Sequence, residues 1–248
     1  MKIVRSRMSV SGRGFAAGLA LCFLLGSSLV SAAVPDLSGF WDLSVDSRQV
    51  PAAQLLPKVT PAVLAERARL DKHAIRFCVL LGVPYLMDSG RPLNIRQGAQ
   101  RIIMYTQASV APRYVYLDRK QHIGSDEYDP TTNGDSLGHW EGDTLVVDTT
   151  GFADTRGITA IPGGGFRTAT SHLVERYRLL EDGNVLSVVS TWTDPNVFSQ
   201  PHSYEYRYYR LPRSYEPTLR DPCDPFDDVR SKFLGIPGLT ATGAPAGR

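Results

Sequence analysis

Alternation of apolar and polar residues dominates the second half of this 248-residue chain. Side chains on a strand point to opposite faces in turn, so strict period-two runs predict strands. Thr170–Leu179, Val185–Thr193 and His202–Leu211 read this way, as do Arg101–Gln107 and Arg113–Asp118, which are separated by Ala111-Pro112. Leu137–Trp140 and Thr144–Thr149 flank Glu141-Gly142-Asp143, and the Thr170 and Val185 runs flank Glu181-Asp182-Gly183-Asn184. Both linkers are short, polar and glycine-bearing, the signature of hairpins. A further short strand surrounds Gly39-Phe40-Trp41 within 36–45. Only residues 62–77 carry a helical period, with Val63, Leu64, Ala68, Leu70, Ala74 and Ile75 on one broad apolar face. Thr60-Pro61 starts that helix, Thr as N-cap and Pro in the first turn. The chain after Gly82-Val83-Pro84 reads as irregular until Asn94.

About eight strands and one early helix result. Strands that do not alternate with helices argue against a parallel α/β sheet. The expected fold is mainly β, an antiparallel β-barrel or strongly curved sheet with one inserted helix, forming a single domain over 34–248 with a Gly/Pro-rich tail from about 235.

Residues 1–33 fit a different purpose. Lys2, Arg5, Arg7 and Arg13 precede an apolar run from Phe15 to Val30, and small residues follow at Ser31-Ala32-Ala33. Basic, apolar and small segments in that order form a secretory signal, expected to be cleaved near Ala32/Ala33 and to leave no transmembrane span. The leader holds four of the 27 basic residues and none of the 25 acidic ones, so the formal charge of +2 becomes 23 against 25, or −2. A weakly acidic chain has no electrostatic case for nucleic acid. Cys78 and Cys223 then remain in an oxidising compartment, where a disulfide between them is the natural pairing. Closing so long a loop contributes about 5 kcal/mol on the chain-entropy model.

Two stretches carry resemblances. Gly39-Phe40-Trp41 resembles the G-x-W of lipocalin-like (calycin) barrels, which implies a Trp plugging the closed end against an Arg of the last strand, here Arg207 or Arg210. Residues 138–149, Gly-His-Trp-Glu-Gly-Asp-Thr-Leu-Val-Val-Asp-Thr, resemble the hallmark of a large family of exported bacterial proteins of largely unassigned function. Cys78 with Gly82-Val83-Pro84, Tyr116-Leu117-Asp118 with His122, His172 with Glu175-Arg176, Asp194-Pro195 and Cys223 follow the same pattern in order. The resemblance departs at His122-Ile123, where the family has His-Pro, and at Gly163-Gly164-Gly165-Phe166-Arg167, where it has a His. It implies fold and export and transfers no reaction.

The chemistry rests on histidines beside acids. A small environmental shift brings imidazole near neutral pH, so a His–carboxylate pair moves protons. Asp118 with His122, and His139 or His172 with Asp148 or Glu175, are the candidate pairs. On Thr170–Leu179 either His172 with Arg176 or Glu175 with Tyr177 faces inward, and the sequence leaves the choice open. Arg119 and Arg176 are candidate ligand contacts, as are Tyr105, Tyr116, Tyr204 and Tyr206, because a Tyr-rich inner wall suits an aromatic ligand. The alternative for these tyrosines is cross-strand packing on an outer face. No H-x-H, HExxH or C-x-x-C spacing points to a metal, and no glycine-rich phosphate loop points to a nucleotide.

The reading that follows is an exported, cofactor-independent lyase or isomerase. It would act by acid–base catalysis on a small hydrophobic or aromatic molecule held in a partly hollow barrel. The alternative is a periplasmic carrier of such a ligand. The oligomeric state is not encoded in any visible motif.

Overall fold

Nine strands among the described residues close into one barrel. In chain order they are β1 (Gly39–Leu43), β2 (Leu93–Gln97), β3 (Arg101–Tyr105), β4 (Arg113–Tyr116), β5 (Asp135–Glu141), β6 (Thr144–Thr150), β7 (His172–Leu180), β8 (Val185–Thr193) and β9 (His202–Arg210). The computed structural model describes residues 34–76, 82–107, 111–124, 126–127, 129–154 and 159–217. Residues 1–33 with their expected signal, Cys78 and Cys223 with their expected disulfide, and the tail from 235 lie outside the described residues. No helix among those described is long and apolar enough to cross a membrane.

The mainly β barrel, of lipocalin/calycin-like kind, is therefore present, with two differences from the expected pattern. The first is β2. Its inward signal is only Leu93 and Ile95, too short to stand out in the sequence. Pairing with β1 on one side and β3 on the other makes it a strand, as tertiary context does for weak β formers. The second is a parallel seam: β4 pairs with β5 in parallel, Val115 opposite Ser136 and Tyr116 opposite Leu137, while every other pair is antiparallel. Parallel neighbours need a long crossover. Here the described residues of the segment 117–134 lie between the end of β4 and the start of β5, most of them exposed or half-buried.

Local chemistry fixes the remaining register. β5 turns into β6 with Glu141 opposite Thr144. Gly142 holds φ +62 there, a left-handed conformation that costs glycine little. Gly138 of β5 has a second role: a Cβ on it would come within 2.8 Å of Leu117 and Val115, so the missing side chain lets the β4 end lie close to β5.

Large side chains occupy the described part of the interior. Trp41, Trp192, Phe152, Tyr177, Tyr206 and Tyr208 are fully enclosed. Trp41 donates its indole N–H to Leu37 O at 3.0 Å, and the Arg210 guanidinium covers its ring at 4.1 Å. Of the two arginines that the G-x-W resemblance nominated, Arg210 is the one in place. Arg207 faces outward and pairs with Glu205.

The helix α1 (Pro61–Arg76) forms at the expected place but does not bury the expected face. Val63 and Leu70 are each 37% exposed, and among the described side chains of that face (Val63, Leu64, Ala68 and Leu70) Leu64 is the one that packs toward the core. A polar anchor holds the helix instead. Buried Asp71 accepts hydrogen bonds from Thr159 N at 2.9 Å, Thr159 Oγ1 at 3.1 Å and Ala160 N at 3.0 Å.

Candidate functional site

Strand β7 settles which of its polar sets is enclosed. Glu175 and Tyr177 point into the barrel and are fully buried, whereas His172 and Arg176 point outward. Inside, Glu175 meets Arg113 of β4 at 2.5 Å. Arg113 also donates to Ser136 Oγ of β5 at 3.1 Å and Thr149 Oγ1 of β6 at 2.9 Å, and Tyr177 donates to Glu175 at 2.9 Å. Burial opposes the Arg113 charge, yet Glu175 and Tyr177 hold the guanidinium above its ordinary value. Burial first, and then the negative Glu175, push the Tyr177 phenol well above its own. Every member is satisfied, so this is a buried ion pair of the kind that folding tolerates. Glu175 lies on the opposite face from His139 and His172, so the expected His–Glu175 pairs do not form.

The histidines gather outside, where the crossover lies against β5, β6 and β7. Arg119 and His122 come from the crossover, Asp135 from the first position of β5, Asp148 from the outward row of β6, and His172 from the first position of β7. Arg119 forms a short ion pair with Asp135. His122 bridges two carboxylates, with Nδ1 2.9 Å from Asp135 and Nε2 2.9 Å from Asp148. Asp148 uses its second oxygen on His172 Nε2, again at 2.9 Å. The result is one continuous chain, Arg119–Asp135–His122–Asp148–His172. It runs from an enclosed end, Asp135 at 4% exposure, to an open end, His172 at 41%.

The electrostatics follow this gradient. Burial works against the Asp135 charge, but Arg119, His122 and the Ile123 amide outweigh it and hold the carboxyl below the usual carboxylate range. The His172 hydrogen bond, opposed by burial and helped by His122, lowers Asp148 in the same way. In return, Asp148 raises His172 above the ordinary imidazole value. His122 thus has a carboxylate oxygen at each ring nitrogen. His172, with Nε2–H on Asp148, keeps Nδ1 without a partner among the described residues. That nitrogen is placed to accept or give a proton at the surface.

A groove of about 510 Å³ adjoins the chain. Leu117 and Leu137 give it apolar walls, Arg119 and Lys120 give it cations, and His122 and Asp148 lie along it. Among the described residues no three His, Cys, Asp or Glu side chains are arranged to hold a metal ion.

The remaining expected residues divide. His139 also lines the groove, but it is exposed and bonds Glu141 at 3.2 Å; Glu141 in turn holds Arg176 at 2.6 Å. Asp118 is exposed and is not the partner of His122. The crossover folds back on β5, so His122 meets Asp135 and Asp148 in its place. Tyr105 and Tyr116 face outward, and Tyr116 carries the Arg119 guanidinium 3.9 Å above its ring. Tyr204 and Tyr206 face inward, as a Tyr-lined wall requires, but their hydroxyls are committed: Tyr204 accepts from Trp192 at 3.2 Å and Tyr206 donates to Asp88 at 3.1 Å. Two residues went unnoticed in the sequence. Asp135 sits in period two with Leu137 and His139, and Arg113 in period two with Val115. That last spacing places a guanidinium in the barrel and demands an acid beside it.

No protein family model matches the chain, and no curated protein matches it.

Proposed function

We propose that this chain is an exported, cofactor-independent acid–base enzyme, a lyase or isomerase, working at the outer groove and not within the barrel. The observation that carries the reading is the Asp148 carboxylate shared by His122 and His172. An imidazole backed by a carboxylate on one nitrogen and open on the other is an apparatus for proton transfer. The basic, apolar and small segments of 1–33 support export. The small, partly apolar substrate is the one that Leu117 and Leu137 would accept. His172 stands beside the groove rather than in its lining and is joined to it through Asp148; with Nδ1 open it is the group that takes or returns the proton, Asp148 orients it, and His122, Asp135 and Arg119 hold Asp148. Elimination, addition of water and isomerisation need only such positioned groups.

The carrier reading draws on the barrel and its inward tyrosines. It asks for vacant apolar space, whereas the described inward side chains pack on one another and pair their polar atoms.

The test begins with protein purified from its native envelope and mass spectrometry of the small molecules it retains. Wild-type protein should convert a retained molecule, either at constant mass or with gain or loss of one water. His172→Gln should slow that conversion by about 10²–10⁴-fold, the usual worth of a general acid or base, with an unchanged circular dichroism spectrum. A retained molecule that stays intact with wild-type protein would favour the carrier.

A further inference from the structure

We propose that the ligand of the outer groove is a small carboxylate with an apolar or aromatic body; this rests on reading the groove as the working site. Three observations carry it. First, Arg119 enters the groove incompletely paired. Its Nη2 is bound to Asp135, while Nε and Nη1 are enclosed with no acceptor. An enclosed donor left unsatisfied is costly, and an oxygen anion is the group that relieves it. Second, the neighbouring Lys120 lines the groove and makes no ion pair among the described residues. Third, the one carboxylate lining the groove, Asp148, already has both oxygens on imidazoles. A cationic ligand would find no uncommitted carboxylate there, and an anion would find two cations.

The apolar part follows from the rest of the lining. Leu117 and Leu137 border the groove, whose volume of about 510 Å³ is in the range that holds a ring-sized molecule. Tyr116 supports the guanidinium from below and keeps its plane fixed, so the charge is presented in one orientation. The ligand carboxylate therefore lies over Arg119 and Lys120, and its body lies on the two leucines.

The experiment is a titration of the full chain with benzoate, benzamide and inorganic phosphate. Backbone amide shifts are followed by NMR and affinities by calorimetry. Benzoate should move the amides of 119–123 and 137–138 and bind at least tenfold more tightly than benzamide, its neutral counterpart, or phosphate, which lacks the body. Lys120→Met should weaken benzoate several-fold and leave benzamide unchanged. Arg119→Met should weaken it about tenfold or more, as loss of a charge-assisted hydrogen bond does. Lys120→Met is the informative variant if Arg119→Met disturbs Asp135. Equal binding of benzamide and benzoate, tighter binding of phosphate, or no shifts in the groove would each overturn the carboxylate assignment. None of these readouts involves turnover. Benzoate seated as described beside a His172→Gln variant of undiminished activity would keep the anion site and sink the acid–base reading.

Discussion

Two arginine–carboxylate clusters occupy opposite faces of the same wall of the barrel. Arg113 and Arg119 are six positions apart, yet one reaches Glu175 inside and the other Asp135 outside. The inner cluster is enclosed on all sides, with neutral hydroxyls from β5, β6 and β7 around the ion pair: Ser136 and Thr149 accept from Arg113, and Tyr177 donates to Glu175. The Arg113 guanidinium and the Tyr177 phenol are both held above their ordinary values, further from physiological pH. What it does is mechanical. The parallel seam between β4 and β5 is short, and Arg113 crosses it from β4 to reach the next three strands. The outer cluster replaces neutral hydroxyls with two imidazoles and ends in solvent. The same charges that lock a fold when enclosed become a proton path when they are graded from burial to exposure.

The inner cluster gives the largest predicted effect. Glu175→Gln leaves the Arg113 charge without a counter-charge and should cost about 3–5 kcal/mol of unfolding free energy, read by urea denaturation. The double replacement Arg113→Met with Glu175→Leu should recover most of that loss, because two well-packed apolar groups remove the desolvation cost as well. A double variant as unstable as the single one would mean that the cluster is not a closed pair.

The outer cluster should respond differently. Asp148→Asn should change stability by only about 0–1 kcal/mol but return the His172 titration, followed by NMR, toward its ordinary 6.5. The sign of the pH dependence follows. His172 is raised, so its contribution is complete below 6.5 and fades as pH climbs through the raised value. Asp148 is lowered, so its contribution holds above 3.8 and is lost as pH falls through the lowered value. The outer chain is therefore intact between those limits. The stability difference between wild type and Asp148→Asn should be greatest in that window and vanish outside it.

The smallest effect belongs to the fully exposed hairpin end. Arg178→Gln, which removes the partner of Asp143, should not move the urea midpoint measurably. A clear shift there would show that surface pairs on this wall matter more than their exposure implies.

How far the sequence reveals this arrangement depends on how long each pattern runs. β7, β8 and β9 are long alternations and are legible to within a residue or two. β2 offers two apolar positions and is not. The start of α1 is visible at Thr60-Pro61, but its tether through Asp71 is not, since three bonds to residues far along the chain leave no periodic trace. At the site, His172 with Asp148 is legible as a pair because both stand in clear strands. The face they occupy is not, because Glu175 interrupts the apolar row of Leu173, Tyr177 and Leu179, and that row turns inward with Arg113 as the counter-ion of Glu175. Asp118 looked like the natural acid for His122 by proximity in sequence, and the returning crossover overrides that proximity.

That crossover has one more consequence. Half of the groove rides on residues 117–134, whose length and composition are not tied to any strand register. The rest, Leu137, Gly138, His139 and Asp148, is fixed to the ladder of β5 and β6. A library varied only at Leu117, Lys120 and Gln121 would therefore retune what the molecule accepts while leaving Arg119, His122, the rest of the proton-handling chain and the barrel untouched, which makes this face a natural starting point for redesign.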